Sequence, residues 1–439
     1  VSDTTQEFLE SAAALLGWYY AACGGMNAGA AWRAWRRGKG PLPAAAWAVF
    51  TALFGALAAM SFCGQPPGMP PSLKAFVDGL LGPVTLALGS LAALAALYLA
   101  RRLFVRPAVA WTILNGSLAV MGLSLADPHF AQLVLRPDNV PVVAMVYLLG
   151  FFTWLGAAQA VENDGRVGRG QDPVEKEYAE PVLVWPDLVY TELIAMVIFT
   201  AALVVWSIVL PAPLEQPANP ALTPNPSKAP WYFLGLQEML VYFDPAMAGV
   251  ILPGLMILGL AAIPYLDLNP KGSGYYTIAQ RRFSYAVFMF GFLQLWILLI
   301  LVGTFFRGPN WSFFGLYEPR DPYRVTAHSN VRLSEYFWVI GLGRGMPQVP
   351  AGSGAIVRFA LIVWREIAGI AVLGLYFIAL PILLGRTALR GFRLRMGRAR
   401  YTIMVLLLLM MLALPIKMVL RWTMDLSYVV SMPEYFFNF

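Results

Sequence analysis

Long apolar runs separated by short polar breaks set the organisation of this chain. A helix needs about 20 apolar residues to cross a bilayer core. Ten runs reach or approach that length, at roughly 8–31, 43–63, 80–100, 107–126, 139–161, 188–210, 247–266, 284–306, 357–385 and 400–420. The first, which carries Glu10 and Asn27, is the weakest. The pattern predicts an all-α, polytopic integral membrane protein of about ten transmembrane helices. No basic start followed by a short apolar run and a small-residue cleavage site is evident, so no cleavable leader is expected.

One stretch departs from the alternation. Residues 211–244 begin with prolines at 211, 213, 217, 220, 224, 226 and 230, and then run into a helix-compatible segment starting at Trp231. Proline cannot propagate a helix, and it biases the residue before it towards extended backbone. Irregular backbone at membrane depth is tolerated only where protein or a cavity covers it. A binding pocket is therefore expected here, between the sixth and seventh spans.

Composition agrees with the spans. Of 439 residues, 59% are hydrophobic and 13% charged, against about 25% charged for a soluble domain. The net charge of +7 comes from short basic clusters between spans, not from one stripe, so nucleic-acid binding is not expected. The clusters fall alternately. Arg33, Arg36, Arg37 and Lys39, then Arg101, Arg102 and Arg106, then Arg166, Arg169 and Lys176, then Lys271, Arg281 and Arg282, and finally Arg386 to Arg400 lie on one side. The short loops of the other side offer Lys74, Arg136 and Lys228. By the positive-inside rule the first side is cytoplasmic, both termini lie outside, and 211–244 and the 307–356 loop face outwards. A bacterial inner membrane is the expected location.

Cys23 and Cys63 lie in or beside apolar runs, with neither a Cys-x-x-Cys-His for covalent haem nor zinc spacing. The two histidines, His129 and His328, are too few for two bis-histidine haems, and each is expected to make loop contacts instead. No metal site is predicted. The chain divides into a five-span module at 1–161, a polar cytoplasmic linker at 162–180, a three-span module at 181–306, an outer loop at 307–356 and a two-span module with an outer tail at 357–439.

The middle module carries a resemblance. Tyr178-Ala179-Glu180-Pro181, Trp185-Pro186-Asp187-Leu188, a span, Pro217-Ala218-Asn219-Pro220, Pro230-Trp231-Tyr232-Phe233 and two further spans together resemble the C-terminal part of cytochrome b. The nearest form is the separate three-helix subunit four of chloroplast-type cytochrome complexes. The ordered set of blocks is much more specific than any one of them. The resemblance implies a subunit of a quinol:cytochrome c or plastocyanin-type oxidoreductase, with a quinol site on the outer side. The quinol, menaquinol or ubiquinol, gives one electron to a Rieske iron-sulfur protein and the other to a b haem, and two protons are released outside. With two histidines, this chain leaves those b haems and the iron-sulfur cluster to partners: a haem-bearing cytochrome b-like subunit, a Rieske protein and a c-type cytochrome. The resembled complexes are usually dimeric.

The family motif is Pro-Glu-Trp-Tyr, and this chain has Ala229-Pro230 before Trp231-Tyr232, so the motif carboxylate is missing. Helical geometry offers a replacement. Glu238 is seven residues beyond Trp231, and Tyr242 four beyond Glu238, which puts all three on one helix face at about 100° per residue. Glu238 is the candidate proton acceptor, because partial burial raises a carboxylate towards the working pH. Pro230, Trp231, Tyr232, Phe233 and Tyr242 are the candidate quinol-binding residues. The plainer alternatives are a Glu238 paired with a cation of another chain or solvated, and aromatics that only anchor the helix at the interface. At the level of function the alternatives are a haem-free scaffold without quinone contact, and a secondary transporter, which would need ionisable residues in mid-span.

Overall fold

The computed structural model describes residues 3–38, 41–177, 181–209, 217–221, 223–269, 277–326, 329–350, 352–435 and 437–439, with the side chains of 3–6 and 41–43 left aside. Tyr178 to Glu180 of the first resemblance block, 210–216 of the proline-rich stretch, Lys39, Lys271 and His328 lie outside these residues.

The described chain is helical apart from one two-stranded ribbon, as the apolar runs predict. Helices α1 (Asp3–Arg36) and α2 (Pro41–Phe62) form a hairpin around Leu16, Tyr20 and Phe54. Helix α3 (Pro71–Leu80) meets α4 (Pro83–Leu99) at a bend of 77°. Then follow α5 (Pro107–Leu125), α6 (Val140–Gly168), α7 (Val189–Val209), the short α8 (Leu234–Met239), α9 (Met247–Leu266) and α10 (Arg282–Phe306). The chain ends with α11 (Ala355–Arg365), α12 (Ile367–Arg386) and α13 (Arg390–Met424), then the ribbon of Ser431–Met432 and Phe437–Asn438.

Eight helices among the described residues are long and apolar enough to cross a membrane, or nine if α3 and α4 make one bent span. Ten were expected. Two fall short: α4, which has 17 residues and reaches a span's length only together with α3, and α1, which is 34 residues long but carries Glu7, Glu10, Asn27 and arginines in its last turn. Asn27 is buried there in a polar knot: its side chain donates to Asn115 of α5 at 2.6 Å and accepts from Trp111 at 2.8 Å.

Two boundaries also differ. The expected linker at 162–180 begins inside a helix, because α6 continues to Gly168. The expected span at 357–385 is broken at Glu366 (φ −94°, ψ 14°), which leaves α11 as a separate amphipathic helix and α12 as the span. Arg365 and Glu366 cause the break to persist. Arg365 pairs with Glu366 at 3.1 Å and with Glu434 at 2.8 Å, and Glu366 accepts the backbone N–H of Ser431 at 3.1 Å. The C-terminal ribbon is thereby fixed to the junction.

The largest core cluster gathers Met239, Tyr242 and Phe243 after α8, Leu299 of α10, and Leu414 and Met418 of α13. This places the segment around α8 at the centre of the bundle end formed by α10 and α13. By contrast α7 buries no residue against the rest of the chain.

Candidate functional site

The proline-rich segment is held by side chains on both flanks. Gln237 accepts the N–H of Ala229 and donates to the carbonyl of Ser227, both at 2.8 Å. Asn225 and Asn310 exchange hydrogen bonds at 3.0 and 2.6 Å. Lys228 donates to the carbonyl of Thr304 at 2.9 Å, and Arg320 to that of Phe305 at 2.6 Å. Two cations therefore satisfy the last carbonyls of α10, where the helix dipole favours positive charge. Burial, followed by the charges of Arg320 and Arg136, pulls the Lys228 ammonium down to about 8.

A single 3-10 turn, Trp231–Phe233, leads into α8. The three aromatics lie in contact along the surface, Trp231 edge to face with Tyr232 at 5.6 Å between centroids and Tyr232 tilted against Phe233 at 4.8 Å, and are 37%, 49% and 51% exposed. Beyond them the chain turns inwards. Leu234, Gly235, Glu238 and Met239 are buried against α10. The approach depends on Gly303, where a Cβ would stand 3.3 Å from the carbonyl oxygen of Leu234.

Glu238 has no exposed surface. Its Oε1 accepts from Arg307 Nη2 at 2.7 Å and its Oε2 from Arg307 Nε at 2.9 Å. The Tyr242 hydroxyl donates to Oε1 at 2.9 Å and the Trp311 indole to Oε2 at 3.2 Å. Arg307, the first residue past α10, is 3% exposed; it also donates to the carbonyl of Trp311 at 2.9 Å and lies over the Trp422 ring at 5.1 Å. Asn310 and Trp311 both adopt left-handed backbone (φ 55° and 54°), which turns the loop back so that Trp311 reaches the carboxylate. Burial, and then the charge of Glu238, raise the Tyr242 hydroxyl well above its ordinary value, so it stays a donor.

The geometry sorts the expected site residues into two groups. Tyr242 and Glu238 meet, as the four-residue spacing predicts. Trp231 does not join them: it stands on the surface with Tyr232 and Phe233, because the first turn is 3-10 and its side chains face away from α10. Nor does Glu238 stand free to take a proton. Both oxygens are occupied by donors, and its cation comes from this chain, not from another one. The cavity beside Tyr242, lined by Leu86, Leu298, Val302, Phe313 and Trp422, measures about 10 Å³. That is about the space of one water molecule, far below the roughly 300 Å³ of a small-ligand pocket. The exposed aromatic surface of this segment lies instead at Trp231–Phe233.

Arg307 was not singled out from the sequence. The signal was the position of Arg307, a lone cation directly after an apolar span, where a carbonyl-rich helix end and a nearby acid both favour it. Among the described residues no cluster of histidine, cysteine, aspartate and glutamate is able to hold a metal. His129 is exposed, at the start of the short helix Pro128–Val134, where its backbone N–H donates to Asp127 at 2.9 Å.

Residues 217–314 match the family described as Cytochrome b(C-terminal)/b6/petD. The match begins in the proline-rich segment and ends just past Arg307 and Trp311. The menaquinol:cytochrome c reductase cytochrome c subunit of Geobacillus thermodenitrificans is 26% identical over 126 residues, which cover 26% of this chain and 50% of that protein. The protein of the same name from Bacillus subtilis (strain 168) is 30% identical over 122 residues, covering 26% of this chain and 48% of that protein. The chain spans about half the length of these curated relatives. No solved structure gives a significant match. The middle of the chain is thus similar to the C-terminal part of cytochrome b and to subunits named as parts of menaquinol:cytochrome c reductases.

Proposed function

We propose that this chain is the quinol-site subunit of a quinol:cytochrome c oxidoreductase, and that its segment 217–244 forms one wall of the site where quinol is oxidised. The observation that carries the reading is the coincidence of the family match with a segment that lays three consecutive aromatics on the surface at the end of α10. A flat apolar head group needs apolar and aromatic walls with few polar groups, and Pro230, Trp231, Tyr232 and Phe233 provide one such wall. The opposite wall belongs to a partner. The substrate is a membrane quinol, menaquinol by the names of the similar reductase subunits.

In this reading the chain binds and orients while others carry electrons. Haems and an iron-sulfur cluster accept the two electrons in partner subunits: a haem-bearing cytochrome b-like chain, a Rieske protein and a c-type cytochrome, in a complex that is dimeric as in the resembled family. Glu238 enters as a positioning residue, since proton acceptance would require it to give up Arg307. Its pair with Arg307 fixes α8, and hence the aromatic turn, to the end of α10. Helix α7, which buries nothing within this chain, leaves a full span for lipid or for such a partner.

The second reading is a scaffold without quinone contact, favoured by the missing motif carboxylate and the closed cavity at Tyr242. Purification of the chain with its neighbours, followed by photolabelling with an azidoquinone, separates the two. The first reading expects a four-histidine b-type subunit and a Rieske protein in the preparation, and label on residues 230–242. A complex that is labelled only on other chains supports the scaffold.

A further inference from the structure

The end of the bundle that carries Glu238 also carries a second apolar surface, formed by α11 and by residues 336–342 of the preceding loop. Plotted at 100° per residue, Ile356, Val357, Phe359, Ala360, Val363 and Trp364 of α11 cover one broad side. Ile356 is 86% exposed, and Phe359 and Trp364 are more than half exposed. Ile362 and Arg365, on the opposite side, are buried. The loop segment extends the surface: Trp338 packs against Trp364 at 5.5 Å and donates its indole N–H to the carbonyl of Arg365 at 2.9 Å, while Ile340 beside it is 65% exposed. The two segments form one contiguous face that none of the described residues covers.

We infer that this face lies in the lipid interface, with α11 as an in-plane amphipathic anchor on the same side of the membrane as the Glu238 site. Three observations select lipid over a protein partner. One residue, Glu366, separates α11 from α12, a helix long and apolar enough to cross a membrane, whose Val372, Leu375 and Ile378 are also exposed, so the apolar face adjoins the apolar surface of a span. Its aromatics, Phe337 and Trp364, are of the type that gathers where acyl chains meet head groups. Exposed Arg344 and Arg358 belong to the two segments, with Arg358 on the side of α11 opposite the apolar face, where a helix that lies on anionic lipid carries its basic residues. The Arg365–Glu366–Glu434 cluster holds the break that lets α11 leave the line of α12. This inference does not depend on the quinol reading.

The test uses the full chain with Cys63→Ser, which leaves Cys23 buried and unlabelled. A nitroxide is attached at Ile356→Cys and, in a separate protein, at Ile340→Cys. A third label at Ser353→Cys, in the loop before α11, serves as the aqueous control. Each protein is reconstituted into vesicles of phosphatidylcholine and phosphatidylglycerol, and spin relaxation is measured with oxygen and with a water-soluble nickel chelate. Residues 356 and 340 should be relaxed by oxygen and protected from nickel, with the control showing the reverse. Access to nickel at both positions would place the face in water and overturn the inference. Exclusion of both reagents would mean that a protein surface, a second copy included, covers it, and would overturn it equally. Two independent label positions keep the test open if one variant does not fold.

Discussion

Glu238 and Arg307 form a two-pronged ion pair with bonds of 2.7 and 2.9 Å, and neither side chain has more than 3% of its surface exposed. The pair joins two elements separated by 69 residues, and it is completed by Tyr242 and Trp311. Removing one member of a buried pair strands the other charge, at a cost of roughly 3–5 kcal/mol, whereas replacing both by apolar residues is often neutral. Arg307→Met and Glu238→Met should each lower the thermal stability of the purified protein and the yield of assembled complex. The double variant should recover most of the loss. A double variant as unstable as the sum of the singles would show that the pair is not the connection.

Glu238→Gln addresses the mechanism separately. The neutral amide keeps the shape and weakens the bonds to Arg307. If Glu238 only positions the aromatic turn, turnover of the complex that does assemble should keep the wild-type pH profile. Selective slowing at low pH would instead make it a proton acceptor, and the positioning role would have to be abandoned.

Trp231 stands on the surface, outside the core, so Trp231→Ala should leave assembly intact. In the quinol reading it should lower quinol oxidation about tenfold, equivalent to roughly 1.4 kcal/mol in the barrier. Steady-state turnover with a soluble quinol analogue, normalised to assembled complex, measures this. Normal turnover would remove Trp231 from the site.

Gly369 of α12 lies under the C-terminal ribbon, where a Cβ would come within 2.0 Å of the carbonyl oxygen of Val429. The ribbon backbone must therefore move to admit even alanine. Gly369→Ala should destabilise the protein by about 1–3 kcal/mol, seen as a lower melting temperature and faster proteolysis after residue 424. Unchanged proteolysis would show that the ribbon docks elsewhere.

Hydrogen bonds from Arg365 hold the Glu434 carboxyl below its ordinary range. A depressed carboxylate contributes stability above its unfolded pKa, and the contribution is lost as pH falls through the lower folded value. Melting temperature should therefore fall on acidification below the usual glutamate range, and less steeply in Glu434→Gln. Glu434 is partly exposed, so the difference is small. Parallel acid curves for the two proteins would contradict the assignment.

Much of this was legible in the sequence, and the part that was not has a physical pattern. Apolar runs locate the spans, because in a bilayer the backbone must satisfy itself and only a helix of sufficient length does so. The prolines mark the irregular segment, and the spacing of four places Tyr242 on Glu238. Local periodicity carries no information about a partner 69 residues away, so Arg307 was invisible as the cation of Glu238. The same limit hid the break at Glu366: Arg365 and Glu366 interrupt the run in the sequence, but the partners that hold the break, Ser431 and Glu434, lie far along the chain. Trp231 was misplaced for a different reason, since the assumption of a regular α-helix fails in the first, 3-10 turn.

The direct test of the central claim is a map of the assembled complex with a quinol-site inhibitor bound. The account predicts inhibitor density against Pro230, Trp231, Tyr232 and Phe233, with the partner's iron-sulfur cluster or b haem within electron-tunnelling distance of it. An aromatic turn that faces lipid or water, with the inhibitor and every redox centre elsewhere, would contradict it.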